Sequence, residues 1–565
     1  MSDVSVVVDR GLLIVRTPYG MREGAKATGA RWDGRRKAWT LPATSSSAAA
    51  VDRELRGLLA ERGAHVDAEY RALLAQAAHA VGAQAAKTRD DLPDIPTVKT
   101  SAWLHQRQAF HFAKDLPAAL LDMHMGTGKT LTALGLVGHK ASARTFVLAP
   151  KRIITSRVWS RGIEAHLDDP PVVLELGDGS TKKRAQALQE ALNLQRITGR
   201  PLFVVVNYDA AWRPGLAEVL LGGEPTALIF DELHRIKAHD GKASGFAYEL
   251  SKLPTVRSRL GLTGTLMPHG PLDLFAQLRA LDAGVFGLSW HRFRLRYTVP
   301  DFFGGVKAYQ NLDELQAKLA PLAYRATKDV LDLPPLMHEP VRVQLGAKAV
   351  AAYRALEDEL YALLDEGEVT VENALTRLLR LQQVTSGHVM TDSGELVQVD
   401  TAKRDALKDL LGDLDEPVVV FCIYREDVRT IRAVVEELGR TSSELTGSED
   451  TLEAWQRGET DVLVANIRAG GLGVDMTRAR VAVYYSQTFS LGDYAQSLDR
   501  VHRPGQDQPV VYYHLIAEST RKLRGGGERP AELVDGRVYR ALREKKKVVE
   551  AVLEGRREGG EEGGA

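Results

Sequence analysis

The chain has 565 residues, of which 44% are hydrophobic and 26% charged, the balance of a globular protein large enough for several domains. Lysine plus arginine and aspartate plus glutamate both number 74, so binding of a nucleic acid would require a local groove. The sequence has neither an apolar run of the roughly 20 residues that span a membrane nor the pattern of a signal peptide. The single cysteine, Cys422, excludes an internal disulfide and a zinc site made of several cysteines. We therefore expect a cytoplasmic protein.

Residues 1–90 are predicted to form a small accessory module. In residues 1–42, short β-branched runs alternate with turn residues, a pattern typical of β-hairpins. Residues 48–86 carry leucines near helical spacing and are predicted to be helical. The following segment, 87–100, contains prolines and several charges and is the best candidate for a linker.

Within residues 29–42, two tryptophans are interleaved with basic residues. These are Arg31, Trp32, Arg35, Arg36, Lys37 and Trp39. Aromatic rings among cations could stack on nucleic-acid bases. Alternatively, both tryptophans could form the core of the small module, and the sequence leaves the two interpretations open.

Residues 101–340 and 345–550 are each predicted to form an α/β lobe, since apolar runs alternate with helical patterns in both. The predicted strands lie at 145–150, 202–207, 226–230 and 258–265 in the first lobe and at 417–424, 461–467, 480–486 and 509–516 in the second. A helical bridge is expected at 345–385, and a basic helix at 536–553 is expected to brace the second lobe. The tail, 555–565, has nothing to bury and is expected to be disordered. The predicted fold class is α/β, with two tandem lobes and a small α+β N-terminal module.

A glycine-rich loop follows the first apolar run of the first lobe. Gly126 and Gly128, with Thr127 between them, allow backbone N–H groups to close around phosphate oxygens. Lys129 supplies a positive charge for the β- and γ-phosphates, and the Thr130 hydroxyl can bind magnesium. The helix that starts here adds its positive dipole end, so the loop is a candidate nucleotide site.

Two adjacent carboxylates, Asp231 and Glu232, follow a buried strand 102 positions after Lys129. Carboxylates are costly in such a place unless a cation or a reacting water uses them. Asp231 would hold magnesium, and Glu232 would orient the water that attacks the γ-phosphate. The alternative is an acidic helix N-terminus, which the upstream phosphate loop disfavours. The two motifs together predict hydrolysis of ATP with Mg²⁺ as cofactor.

These motifs resemble helicase superfamily two and, within it, the Swi/Snf-type ATPases, in the family's order over roughly residues 101–550. Residues 466–479 and the string QSLDRVHRPGQ at 496–506 carry the resemblance in the second lobe. It implies two RecA-like lobes and DNA, double-stranded or branched, as the partner, with no small-molecule substrate other than ATP. More weakly, residues 29–42 resemble the HARP motif of annealing helicases, which implies targeting of DNA structure.

The resemblance also implies roles for single residues. Gln106 stands at the position of the base-reading glutamine. Arg500 and Arg503, three apart and hence on one face if helical, would be aimed at the nucleotide held on the other lobe, where guanidinium groups stabilise transition-state charge. The coupling motif contains Thr263, Gly264 and Thr265. The candidate DNA contacts are Lys151, Arg152, Asn207, Tyr208, Arg468, Gly470 and Gly471.

The sequence thus predicts an ATP-dependent translocase on double-stranded DNA, in a bacterial or phage-infected cell. Two other interpretations stay open. One is a helicase that separates or anneals strands, and the other is a DNA-binding scaffold that ATP switches with little turnover.

Overall fold

A computed structural model describes residues 4–61, 63–301, 305–366, 371–390, 395–447, 449–468, 474–522 and 528–554. The chain divides into two compact units, and the change from the first to the second falls between Val330 and Leu331. Within the described ranges, no helix is long and apolar enough to cross a membrane.

The first unit begins with a small α+β module. Its strands are β1 (Ser5–Asp9), β2 (Leu12–Arg16), β3 (Arg31–Asp33), β4 (Ala38–Pro42) and β5 (His65–Val66), and its helices are α1 (Arg22–Ala27), α2 (Ser45–Glu61) and α3 (Ala68–Ala83). The sheet has the order β3-β4-β2-β1-β5, with antiparallel hairpins β1–β2 and β3–β4. Apolar side chains of β1, β2 and β4 pack against α2 and α3 to form its core.

The structure separates the two tryptophans of this module. Trp39 on β4 packs against the core, whereas Trp32 on the edge strand β3 is 55% exposed. The two rings meet edge to face with centroids 5.5 Å apart. The alternative in which both tryptophans form the core therefore does not hold for Trp32, because β3 lies at the edge of the sheet and the Trp32 side chain is exposed.

The segment expected to be a linker, 87–100, packs along the first lobe instead. Its apolar residues Leu92 and Ile95 are buried. Thr97 donates from Oγ1 to the carbonyl oxygen of Gly135 at 2.8 Å. The backbone N–H of Lys99 donates to the carbonyl oxygen of His166 at 2.9 Å. The sequence pattern was misleading because two apolar residues among prolines and charges are enough to anchor an extended segment. We call residues 87–100 the strap.

The rest of the first unit is a three-layer α/β lobe. Its strands are β6 (Ala118–Met123), β7 (Arg144–Ala149), β8 (Val172–Leu176), β9 (Leu202–Asn207), β10 (Ala227–Asp231), β11 (Ser258–Thr263), β12 (Thr298–Pro300), β13 (Val306–Tyr309) and β14 (Ala323–Ala326). Its helices are α4 (Leu104–Ala113), α5 (Lys129–His139), α6 (Lys151–Thr155), α7 (Val158–His166), α8 (Thr181–Thr198), α9 (Tyr208–Ala211), α10 (Leu216–Gly222), α11 (Lys242–Ser251), α12 (Leu274–Leu281), α13 (Trp290–Tyr297) and α14 (Leu312–Leu319).

Seven of these strands form one parallel sheet in the order β14-β6-β11-β10-β7-β9-β8. The central strands are apolar on both faces because helices cover both sides. Strands β6, β11 and β10 are neighbours, so the residues that follow them meet at the carboxyl edge of the sheet. This edge is where ligands bind in open parallel sheets.

The second unit is also an α/β lobe. Its strands are β15 (Leu336–Gln344), β16 (His388–Met390), β17 (Leu396–Gln398), β18 (Val418–Cys422), β19 (Ser442–Leu445), β20 (Val462–Asn466), β21 (Val481–Tyr484), β22 (Val510–Lys522) and β23 (Glu528–Glu532). Its helices are α15 (Ala347–Glu366), α16 (Val371–Thr385), α17 (Ala402–Gly412), α18 (Arg425–Glu437), α19 (Leu452–Gln456), α20 (Leu491–Val501) and α21 (Val534–Glu554). The sheet runs β15-β22-β21-β18-β20-β19, all parallel, with β23 antiparallel to β22. The predicted α/β class with two lobes of parallel sheet is confirmed.

A buried ion pair ties the last helix to this lobe. Lys403 on α17 and Asp535 on α21 are 1% and 0% exposed, and their charged atoms lie 2.5 Å apart. Asp535 also accepts hydrogen bonds from the Thr385 hydroxyl and the Ala517 backbone N–H. The predicted tail, 555–565, lies outside the described residues.

Candidate active site

The glycine-rich loop connects β6 to α5 at the carboxyl edge of the first sheet. Gly126 and Gly128 both have φ of 83°, in the left-handed region that glycine adopts without strain. A Cβ atom at Gly128 would lie 2.0 Å from Nε2 of Gln106. Glycine at this position therefore allows both the turn and the close approach of α4.

Gln106 lies directly against this loop. Its Nε2 donates to the backbone carbonyl oxygen of Thr127 at 3.1 Å, and its Oε1 accepts from the backbone N–H of Trp103 at 2.9 Å. His105 makes a second contact, with Nε2 2.8 Å from the same Thr127 oxygen. The first turn of α4 thus packs directly against the glycine-rich loop.

Lys129, at the start of α5, turns back into the loop. Its Nζ donates to the carbonyl oxygens of Met123 at 2.7 Å and His124 at 3.3 Å. Its positive charge also acts on Asp231 and Glu232, lowering the pKa of each. The strand order therefore brings the loop lysine and the acidic pair, 102 positions apart in sequence, to one place.

The acidic pair is buried at the end of β10. Burial and the neighbouring Glu232 carboxylate raise the pKa of Asp231. Burial would also raise the pKa of Glu232, but His234, whose Nδ1 lies 3.2 Å from Oε2, lowers it below its usual value. Glu232 has φ of 51°, a strained conformation for a residue with a side chain, and strain of this kind clusters at functional sites.

His234 connects the acidic pair to the coupling motif. Its Nδ1 also lies 3.3 Å from Oγ1 of Thr263, which in turn accepts from the backbone N–H of Thr265 at 3.0 Å. A Cβ atom at Gly264 would lie 3.1 Å from the carbonyl oxygen of Met123 in the phosphate loop. The segment from Thr263 to Thr265 therefore lies close to both the glycine-rich loop and the acidic motif.

The second unit places the two arginines differently from the expectation of a shared helix face. Helix α20 ends at Val501, so Arg500 lies in its last turn and Arg503 lies beyond it. The reason is Pro504, since proline disfavours the helical conformation of the residue before it. Arg500 is buried and donates from Nη2 to the Ile467 carbonyl oxygen at 3.3 Å, and Arg503 donates from Nη1 to that of Val474 at 3.2 Å.

Comparison with known proteins agrees with this geometry. The SNF2-related domain matches residues 97–389, more than half of the chain, and the helicase conserved C-terminal domain matches residues 402–505. The chain belongs to the SNF2-related family. The resemblance to Swi/Snf-type ATPases is thereby confirmed, while the HARP-like resemblance of residues 29–42 stays a prediction.

Individual members of the family are distant in sequence. A putative protein p41 of Acyrthosiphon pisum secondary endosymbiont phage 1 is 27% identical over 70% of this chain and 88% of its own length. The putative ATP-dependent helicase/translocase YwqA of Bacillus subtilis is 24% identical over 71% of this chain, which spans 44% of that protein. Among solved structures, the SWI2/SNF2 ATPase core of Sulfolobus solfataricus in complex with double-stranded DNA aligns with 20% identity and a TM-score of 0.38, covering 76% of this chain and 90% of that one.

The donor atoms of this SNF2-related chain fit a magnesium ion that is shared with phosphate. In the part of the chain that the structure describes, no three His, Cys, Asp or Glu side chains gather to hold a metal by themselves. The Thr130 hydroxyl and the Asp231 carboxylate are oxygen donors, which Mg²⁺ prefers, and Mg²⁺ usually takes few protein ligands beside phosphate and water. Two adjacent buried carboxylates also call for a compensating cation.

The candidate DNA contacts fall into three groups. Lys151 is exposed and Arg152 half-buried at the start of α6, and Arg468 is exposed beside Asp493, with Nε 3.3 Å from Oδ2. Asn207 and Tyr208 are buried: Asn207 caps α9, and the Tyr208 hydroxyl donates to the Asp231 carbonyl oxygen at 2.9 Å. Both side chains are thus buried in the first lobe, and their contact with DNA stays a prediction. The last two candidates, Gly470 and Gly471, lie outside the described residues.

Three residues of the site were not singled out from the sequence. Trp159 donates from Nε1 to Oδ2 of Asp231 at 3.0 Å. Asp122, at the end of β6, is buried near Arg325, and burial raises its pKa to about 6 although Arg325 and Lys129 oppose the shift. His234 could have been found, because it is the fourth residue of the acidic motif, whereas a tryptophan in the first turn of an amphipathic helix carries no such signal.

Proposed function

We propose that this SNF2-related protein is an ATP-dependent motor that moves along double-stranded DNA. The observation that carries the proposal is the meeting of the phosphate loop, the buried Asp231–Glu232 pair and the coupling motif at one edge of the first sheet. Family membership supports DNA as the activating partner. The name of the Bacillus subtilis relative, a helicase/translocase, supports movement.

In the proposed reaction, backbone N–H groups of the loop and Lys129 bind the β- and γ-phosphates. Glu232 accepts a hydrogen bond from the attacking water and orients it in line with the γ-phosphate. Its depressed pKa keeps this carboxylate ionised at neutral pH, as that role requires. Thr130 and Asp231 would hold magnesium, which neutralises charge on the phosphates when bound.

Arg500 and Arg503 are proposed to complete the site when the two units close on the nucleotide. Guanidinium groups supplied in this way accelerate phosphoryl transfer by on the order of 10³–10⁵. Because delivery of these groups requires closure, each hydrolysis event would be tied to one relative movement of the units. Movement along DNA follows if both units grip the backbone.

The proposed contacts to the DNA backbone are Lys151 and Arg152 on the first unit and Arg468 on the second. Contacts to phosphate oxygens position a protein on DNA without reading its sequence. We accordingly expect stimulation by duplexes of any sequence. Binding should weaken steeply with salt, because cations that neutralise phosphates release counterions.

A second candidate function is action at branched DNA, including strand annealing or separation. The exposed Trp32 favours it, because the side chains of Arg35 and Lys37 beside it are exposed as well. An aromatic ring among cations can stack on an unpaired base. Residues 29–42 would then direct the same motor to forks.

Displacement of a third strand from a triplex separates these functions when it is measured beside unwinding of a forked duplex. A translocase on double-stranded DNA displaces the triplex strand with ATP and leaves the fork paired. Unwinding of the fork without triplex displacement would contradict the proposal and favour a helicase. Absence of both, with little ATP turnover, would favour an ATP-switched scaffold.

A further inference from the structure

We infer that helix α7 connects the proposed DNA contacts to the magnesium site, with Trp159 and Gly162 as positioning residues. The inference rests on the proposed function and specifies how DNA would regulate that site. Helix α7 (Val158–His166) begins three residues after α6 ends, and α6 begins with Lys151 and Arg152. A displacement of α6 by bound DNA would therefore reach α7 through a very short connection.

Trp159 joins α7 to the first of the two candidate magnesium ligands. Its side chain is fully buried, with its ring centroid 5.4 Å from that of Phe203 on β9, so its position is fixed. From there the indole N–H donates to Oδ2 of Asp231 at 3.0 Å. This hydrogen bond from a fixed indole ring orients the carboxylate.

Gly162 joins α7 to the second candidate ligand. It lies three residues after Trp159 and hence on the same side of the helix. A Cβ atom at this position would be 3.0 Å from Cγ2 of Thr130, so the helix backbone packs directly against the threonine. The two candidate ligands, Asp231 at the end of β10 and Thr130 on α5, therefore share one supporting helix.

The far end of α7 is held by the strap. Lys99 donates from its backbone N–H to the His166 carbonyl oxygen at 2.9 Å and from Nζ to that of Glu164 at 3.0 Å. The Thr100 hydroxyl lies 2.7 Å from Nδ1 of His166. With its C-terminal end anchored, α7 can respond to α6 mainly at its N-terminal end, which carries Trp159.

Two substitutions test this connection without touching a nucleotide or DNA contact. Trp159→Phe keeps an aromatic ring in the core and removes the N–H that holds Asp231. Gly162→Ala adds one methyl group against Thr130. The matched controls are Trp455→Phe, at a fully buried tryptophan of the second unit, and Gly245→Ala, at a glycine of α11 whose added Cβ would meet nothing within 4 Å.

The first readout is equilibrium binding of a fluorescent duplex, with and without Mg²⁺ and a non-hydrolysable ATP analogue. In the parent, the analogue should change the duplex affinity by a factor of about 5–150, the usual range for coupled sites. In Trp159→Phe and Gly162→Ala the coupling should be lost, so that the analogue changes the duplex affinity by less than about twofold. Affinity for the duplex alone should not change, and both controls should keep the parent factor.

The second readout is the Mg²⁺ concentration needed for binding of the analogue without DNA. Loss of a group that orients a metal ligand typically weakens metal affinity by about 10–100-fold, and we expect this range for Trp159→Phe. Circular dichroism checks folding, and if Gly162→Ala does not fold, Trp159→Phe decides alone.

Parent-like coupling in a folded Trp159→Phe would overturn the inference and leave the proposed function intact. If the nucleotide does not change the duplex affinity of the parent protein, and duplex DNA does not change its ATP turnover, both the inference and the proposed function would be overturned.

Discussion

Removal of Lys403 should destabilise the second unit far more than removal of a half-exposed lysine on the same helix. Lys403→Met leaves the Asp535 carboxylate buried without its cationic partner and deletes a hydrogen bond from Nζ to the Tyr485 carbonyl oxygen. Breaking a buried pair from one side costs about 3–5 kcal/mol. For a unit of roughly 200 residues this corresponds to a fall in Tm of roughly 6–20 °C.

Differential scanning calorimetry of the full chain measures this shift. The matched control is Lys408→Met, which removes a half-exposed partner of Glu437 and should cost at most about 1 kcal/mol. The double variant Lys403→Met/Asp535→Leu should recover most of the stability, because it leaves no unpaired charge. A Tm for Lys403→Met within the error of Lys408→Met would refute the reasoning.

Three further predictions concern the first unit. Glu232→Gln should bind ATP normally but hydrolyse it about 10²–10⁴-fold more slowly, because an amide cannot accept the proton of the attacking water; equal single-turnover rates would contradict this role. Gly264→Ala should lower stability by about 1–3 kcal/mol in chemical denaturation and raise the KM for ATP, because its Cβ meets the Met123 carbonyl oxygen at 3.1 Å. Asp231 has a raised pKa in the folded state, so its contribution to stability is present at acidic pH and is lost as pH rises through that pKa. Mg²⁺ with ATP should therefore raise the Tm of the first unit more at pH 8 than at pH 5.5, and an equal or smaller shift at pH 8 would count against Asp231 as a ligand.

The sequence was most informative where burial dictates composition. The predicted strand at 202–207 coincides with β9, and the one at 145–150 overlaps β7 over residues 145–149, because both strands are buried on both faces. Strand β8 was missed, since it follows two prolines and contains Glu175 at the edge of the sheet. Apolar periodicity therefore identifies central strands better than edge strands.

Other features depend on tertiary contacts that a local pattern does not encode. Asn207 and Tyr208 have polar side chains of the kind that contact phosphates at a surface, but both are buried. Asn207 caps α9, and the Tyr208 hydroxyl donates to the Asp231 carbonyl oxygen. Lys403 and Asp535 are 132 positions apart, and neither residue type predicts burial. The end of α20 before Arg503 was readable from Pro504, which the helical interpretation of the motif overlooked.

The most direct test of the account is steady-state ATP turnover by the full chain with and without a blunt duplex, measured beside Lys129→Ala. We predict slow turnover alone, stimulation by the duplex that falls with rising salt, and no turnover above background in Lys129→Ala under either condition. Turnover that ignores the duplex, or that survives in Lys129→Ala, would contradict a DNA-driven ATPase built on this loop.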